Sequence, residues 1–355
     1  MAINSVRELA KVLGLSHTTV SDALRGSPRV KASTRDKVLA AAKEHGYQYN
    51  PLAGALMSQM RRSRADTFRG VIAVVDLESF KQRPEVFERY HREVMEGADR
   101  AARKMGFKVE FFALGSEGIS VDRLNSILIS RGIRGILILP AGASPELSVL
   151  NWEHFSGVYT DYIIEHPAID SVCSNHFRSM FLVLNKLKQL GYRRPGLVMH
   201  LDHDKRLLHR WEAAYQIYHK YYPYFEAIHP LILRQFEETS FREWFLETRP
   251  DVVLSHRTRV LRWMEGVGAV VPHTHGFCCL NVKLSSVPVA GLDLQPSLIG
   301  ERAMELLVSQ IYSNKYGIPE TASNTTIPSA WVDGPTVRSM GSVANPDAPL
   351  NEGIH

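Results

Sequence analysis

Apolar positions along the first fifty residues fall into three short helical stripes. Val6, Leu9, Ala10 and Leu13 keep the i, i+3, i+4, i+7 spacing of one buried face, with Ser5 placed as an N-cap and Gly14 as the stop. Ser16 caps a second stripe with Val20, Ala23 and Leu24 inward, broken by Gly26-Ser27-Pro28. Ser33 starts a third with Val38, Leu39 and Ala42, ending at Gly46. Two helices joined by a glycine turn and followed by a third are the helix-turn-helix arrangement. The second helix would show His17, Thr18, Ser21, Asp22 and Arg25 on its outer face, groups that can reach base edges or phosphates.

Beyond residue 65 the period changes. Strand-sized apolar runs at Val71–Val75, Val109–Ala113, Ile136–Leu139, Val158–Thr160, Gly196–Met199, Ile228–Ile232, Val252–Leu254 and Phe277–Leu280 alternate with helical patterns. Those patterns run over Val86–Met105, Val121–Ile129, Arg178–Leu190, Leu208–Tyr221, Phe241–Thr248, Leu261–Gly266 and Ser297–Tyr312. Alternation of this kind predicts parallel sheets wound by right-handed crossovers, with too many units for one ordinary sheet. The expected fold class is an N-terminal all-α helix-turn-helix headpiece plus an α/β core of two doubly wound parallel-sheet lobes. The expected boundaries are 1–50 for the headpiece, 51–64 for a linker, 65–340 for the core and 341–355 for a fraying tail. Ligands of open α/β sheets bind beyond the carboxyl ends of the strands, so two facing lobes define one cleft.

Charge sharpens this picture. The 355-residue chain carries a net +5, but residues 1–64 hold eleven Lys and Arg against four acids, leaving the remainder at −2. The excess is the footprint of a polyanion partner, and Arg25, Arg29, Lys31 and Arg35 are the phosphate candidates. With 45% apolar and 22% charged residues the chain is of ordinary globular composition. Its three cysteines, Cys173, Cys278 and Cys279, cannot build a disulfide framework, which fits a reducing compartment. No apolar run reaches the ~18–20 residues of a membrane span, and no signal-peptide pattern opens the chain, so a cytoplasmic location is expected. HExxH, GxSxG, P-loop and GxGxxG motifs are absent, so the chain is not expected to be an enzyme and no cofactor is called for. The run His200-Leu-Asp202-His203-Asp204 fits no standard metal spacing and reads as a solvated loop, so no metal is expected either.

The run from Val6 to Gly26, continuing through Gly46-Tyr47 and Asn50-Pro51-Leu52-Ala53, resembles the headpiece of the lactose/galactose repressor family of bacterial regulators without a gap. The resemblance implies that Thr19 and Ser21 hold the phosphate backbone and that His17, Thr18 and Asp22 read bases in the major groove. Asp22 departs from the arginine often found there; an aspartate can accept from cytosine N4 but cannot bond the guanine acceptors O6 and N7. Ser16 and Asn50, within the matched run, complete the DNA-binding set. The segment from Pro51 would be a hinge helix in which Leu56 wedges into the minor groove, with Gly54 weakening its helicity.

Over the core the resemblance is to the family's periplasmic-binding-protein-like fold, with lobe crossovers near residues 170, 293 and 327. It places Arg210 and Asn281 as effector-binding groups, where the family commonly has aspartate at the second. Asp76 and Asp161, each ending a strand, and Phe80 and Trp211, able to stack on a sugar, complete the effector candidates. Asn175-His176 falls where the family caps a helix. The function implied is a transcriptional regulator, a repressor that binds a palindromic double-stranded DNA operator as a homodimer and answers to a small-molecule effector, a sugar by resemblance. The competing class is a solute-binding protein or sugar-processing enzyme with an incidental basic N-terminal arm.

Overall fold

A computed structural model of the chain describes residues 6–24, 30–44, 68–77, 85–115, 118–141, 146–162 and 166–339. The chain divides into two compact units, Met1–Thr67 and Phe68–His355. In the first, α1 (Val6–Leu13), α2 (His17–Leu24) and α3 (Ala32–Glu44) enclose a small core of Leu9, Ala10, Val20, Ala23, Val30, Val38, Ala41 and Ala42. Gly14 sits at φ +64°, and the turn closes as Leu15 N–H donates to Ala10 O at 3.0 Å and Gly14 N–H to Lys11 O at 3.4 Å. Only glycine takes that backbone conformation without strain, which is why α1 ends there. Ser16 Oγ then accepts from Thr19 N–H at 3.1 Å and caps α2. In α3 the buried triplet is Val38, Ala41 and Ala42, whereas Leu39, expected inside, is exposed. The hinge segment 51–64 and the tail 341–355 lie outside the described residues.

In the second unit, the described residues form two six-stranded sheets. The strands are β1 (Gly70–Asp76), β2 (Phe107–Ala113), β3 (Gly135–Ile138), β4 (Ser156–Tyr159), β5 (Asp170–Ser174), β6 (Pro195–His200), β7 (Leu231–Leu233), β8 (Val252–Ser255), β9 (Gly276–Cys279), β10 (Gly291–Asp293), β11 (Asn324–Ile327) and β12 (Ala330–Val332). The first sheet, ordered β11-β5-β4-β3-β1-β2, is parallel throughout. The second, β12-β10-β9-β8-β6-β7, is parallel except where β12 runs against β10. The helices are α4 (Glu85–Lys104), α5 (Val121–Ser130), α6 (His176–Gln189), α7 (Leu201–Arg206), α8 (Arg210–Tyr221), α9 (Glu238–Thr248), α10 (Val260–Gly266) and α11 (Pro296–Tyr312). Among the described residues no helix is long and apolar enough to cross a membrane.

Side-chain alternation along each strand feeds two cores per sheet. On the first sheet, Ile72 and Val74 meet α4 and α11, while Ala73 and Val75 meet Leu124 and Leu128 of α5. On the second, Leu197 and Met199 face α6 and α8, and Val198 faces α9 and α10. Adjacent Cys278 and Cys279 obey the same rule and lie in different cores. Burial pushes the Cys279 thiol up to about 12. Helices α4 and α11 cross closely: a Cβ on Gly97 would come within 1.9 Å of Ser297 O, and one on Gly300 within 1.9 Å of Val94 O.

The chain passes between the lobes after β5, after β10 and after β11. The three passages are stitched together. Ser174 Oγ donates to Leu294 O at 3.1 Å, and Asn175 N–H to Ile327 O at 2.8 Å. Asn175 also caps α6 by accepting from Arg178 N–H at 3.0 Å, the capping expected of the Asn175-His176 pair. The run His200–Asp204, expected as a solvated loop, instead caps and opens α7. His200 Nδ1 accepts from Asp202 N–H at 3.2 Å and so starts the helix, and Asp204 is fully buried.

Candidate functional site

Two sites were expected, and each is built by one unit. In the headpiece, α2 presents Ser21 and Asp22 half-buried, and Ser16 and Lys31 are exposed. Ser16 Oγ and Thr19 Oγ1 lie 2.8 Å apart, so one hydroxyl donates to the other and the second O–H is left to point outward. Arg35 is half-buried and donates from Nη2 to Val30 O at 3.3 Å, which braces the entry to α3. The side chains of His17 and Thr18 lie outside the described residues, as do Arg25, Arg29, Asn50 and Leu56.

In the core, strand ends converge at the lobe junction. Asp76 closes β1 fully buried, and Asp161 follows β4. Asp161 is 9% exposed at its side chain and forms an ion pair with Arg206 of α7, which is 22% exposed. Arg206 also donates to Ala141 O at 3.2 Å, so this guanidinium bridges the lobes. Arg210, at the start of α8, lies over the Tyr162 ring with its guanidinium carbon 4.0 Å from the centroid. The two arginines therefore converge on the Asp161-Tyr162 corner of the first lobe.

Aromatic rings surround them. His176 lies between Tyr162 and Trp211, with ring centroids at 5.7 and 5.1 Å. Burial holds its imidazole down to about 4, against which nearby Asp161 pulls upward. At the end of β8, His256 stacks on His203 at 4.1 Å with planes only 6° apart. Both imidazoles are pushed well below their ordinary range, chiefly by burial. Among the described residues neither ring nitrogen of His256 has a hydrogen-bond partner, although the ring is 3% exposed. On the other side of the junction, Lys283 reaches Glu93 at 2.9 Å and Asp293 at 3.4 Å. Arg89 of α4 donates to Ser285 O at 3.0 Å.

The candidates named from sequence divide under this geometry. Asp161 and Arg210 come together at the junction. Trp211 is 1% exposed and packs in the second-lobe core, its ring against His176. Asn281 is a turn residue in its contacts: its Oδ1 accepts from Lys283 N–H at 3.1 Å and its carbonyl from Cys279 Sγ at 3.1 Å. Phe80 lies outside the described residues. Arg206, Tyr162 and His256 were missed. Arg206 closes α7 and Arg210 opens α8 beyond the left-handed residues Leu208 and His209, so no helical spacing joined the two in the sequence.

Residues 5–50 match the family described as bacterial regulatory proteins, lacI family. The HTH-type transcriptional regulator AglR of Rhizobium meliloti (strain 1021) is 52% identical over 56 residues, 16% of this chain and 15% of that protein. The chain spans about half, or less, of the length of the first curated relatives it matches. Two solved structures share the fold over nearly the whole chain. A transcriptional regulator CelR–cellobiose complex gives a TM-score of 0.56 at 18% identity, covering 94% of this chain and 99% of that one. The lac repressor dimer bound to operator and the anti-inducer ONPF gives 0.51 at 16% identity, covering 95% and 99%.

Proposed function

We propose that this chain, a member of the lacI family by its headpiece, is a sequence-specific transcriptional regulator, acting as a repressor under the control of a small effector. The observation that carries the reading is the match of residues 5–50 to that family on a segment folded as three helices around a glycine turn. The curated relatives it resembles are named transcriptional regulators, which supports a regulator and not an enzyme.

The proposed mechanism starts from α2 lying in the major groove. His17, Thr18 and Asp22 read base edges, while Ser16, Thr19, Ser21, Arg25, Arg29, Lys31, Arg35 and Asn50 set the register on phosphates. Leu56 opens a minor-groove step. A homodimer carries two such headpieces, so the operator is an imperfect palindrome. The chain works in the cytoplasm, where its DNA lies.

The effector occupies the lobe junction. Asp161, Arg206 and Arg210 supply charged donors and acceptors, Tyr162 supplies a flat face, and His256 offers two ring nitrogens that the protein itself leaves unmatched. Buried polar groups without partners are costly unless a ligand completes them. Planar rings beside forked hydrogen-bonding groups suit a sugar, and the CelR neighbour is described with cellobiose. Asp76, Phe80, Trp211 and Asn281 complete the candidate effector set. Effector binding changes the lobe arrangement and, through it, operator affinity; coupling of this kind is typically about 1–3 kcal/mol and reciprocal.

The test is recovery of bound fragments of the source DNA by the purified protein at two salt concentrations. A palindromic motif retained at the higher salt supports the regulator. Diffuse binding that disappears with salt, the mark of phosphate contacts alone, refutes it.

A further inference from the structure

The corner between α7 and α8 holds a cluster that the effector site does not use. Asp204 of α7, His209 just before α8 and Glu212 in its first turn each offer one ligand atom, and these atoms lie within 4.8 Å of one another. The Asp204 side chain is completely buried. Its Oδ1 accepts from Trp211 N–H at 3.3 Å, but Oδ2 has no well-formed hydrogen bond among the described residues and lies 3.3 Å from His209 Nδ1 as an ion pair. His209 Nδ1 lies 3.8 Å from Glu212 Oε2. Leu208 and His209 both take left-handed backbone, φ 55° and 54°, and this double turn aims the imidazole back at the buried carboxylate.

We propose that Asp204, His209 and Glu212 form a divalent-metal site that takes zinc. One imidazole nitrogen with two carboxylate oxygens is a zinc ligand set, whereas calcium takes six to eight oxygens. Zinc bonds of about 2.0–2.1 Å place tetrahedral ligands about 3.3–3.4 Å apart. The Asp204–His209 separation already has that value, and the half-exposed Glu212 needs only a small side-chain movement to close on it. His209 is 48% exposed, so a water has access to the fourth position. Two carboxylates and a neutral imidazole balance the ion's charge, which removes the desolvation cost that Asp204 bears alone. The ion ties α7 to α8, the two helices carrying Arg206 and Arg210, and so fixes the corner from which both arginines reach the first lobe. The sequence pointed at this region through the wrong residues. Asp204 partners not His200, Asp202 or His203 but residues five and eight positions later, across the turn.

The full chain, stripped with chelator and desalted, is titrated with zinc chloride by calorimetry and with cobalt by visible absorption. The expected result is one zinc per chain, a rise in Tm with zinc, and the intense absorption of four-coordinate cobalt. Affinity falls at least tenfold in both His209→Gln and Glu212→Gln, each on a side chain with solvent access, and is unchanged in His154→Gln. No zinc uptake by the stripped chain overturns the proposal and leaves an ion-paired histidine. Uptake unaltered by both site substitutions also overturns it, because the ion then sits elsewhere. Neither result bears on operator binding, which the DNA experiment tests separately.

Discussion

Replacing Arg206 with methionine tests whether the lobe junction is held electrostatically. The wild-type guanidinium pairs with Asp161 and donates to Ala141 O at 3.2 Å. Methionine keeps much of the side-chain volume but strands a carboxylate that is 9% exposed. An exposed ion pair is worth about 0–1 kcal/mol, and removing one partner of a buried pair costs about 3–5 kcal/mol. Asp161 is near the buried limit, but Arg206 keeps about a fifth of its surface, so solvent screens part of the interaction. The expected loss is about 2–3 kcal/mol. At about 2–4 °C per kcal/mol for a unit of this size, Tm should fall by about 5–10 °C in a thermal melt. The double variant Arg206→Met, Asp161→Leu should recover much of that, because it leaves no unpaired charge. A single-variant shift under about 2 °C, with the double variant merely additive, would show a solvated pair of surface strength and sink the argument.

Three further outcomes follow from the described contacts. His176 sits at about 4 in the folded chain against an ordinary value of 6.5, facing Asp161, Arg206, Arg210 and the Tyr162 ring. Its folded value is depressed, so the unfolded chain binds the proton first; stability is full above about 6.5 and declines toward about 4, by up to about 1.4 kcal/mol per pH unit. Denaturant midpoints from pH 7 to 4.5 should show a shallower decline in His176→Gln, and identical slopes would contradict the assignment. Gly300→Ala should destabilise the core unit by about 1–3 kcal/mol despite better helix propensity, because its Cβ would lie 1.9 Å from Val94 O; an unchanged or raised melting temperature would count against the close crossing. Ser16→Ala should cost about 1 kcal/mol of headpiece stability by removing the cap on Thr19 N–H, seen as an earlier loss of helical circular dichroism from that unit.

Much of the architecture was legible because it rests on local rules. Gly14 and Ser16 are read from one-residue chemistry, and both act as expected in the turn between α1 and α2. The long helices α4 and α11 announce themselves by period and by their ends. The strands that escaped are β5, β10, β11 and β12, of three to five residues: the first three carry serine, threonine, asparagine or aspartate, and β12 is Ala-Trp-Val at a sheet edge. Their pairing comes from neighbours distant in sequence, such as Asn324 of β11 beside Ser171 of β5. No window of sequence contains that information. Leu39 failed for the opposite reason: its period fits the stripe, but the three-helix core is too small to cover a third apolar row on α3.

The site was less legible than the fold because its residues are defined by what they face. Asp161 and Arg210 could be named from strand ends and resemblance, yet the group that occupies Asp161 is Arg206, which falls between the run His200–Asp204, read as a loop, and the helix expected from Leu208. Once residues 201–206 are helical, three consequences follow together. Arg206 swings to the lobe junction, Asp204 turns inward to full burial, and His203 stacks on His256. One misread turn of helix therefore concealed an interlobe ion pair, an unmatched carboxylate and a buried imidazole pair at once. A six-residue helix has almost no intrinsic stability in water, so its formation is decided by packing that periodicity does not record. That same dependence makes the α7–α8 corner responsive to anything that binds beside it, whether an effector on Arg206 and Arg210 or an ion on Asp204 and His209.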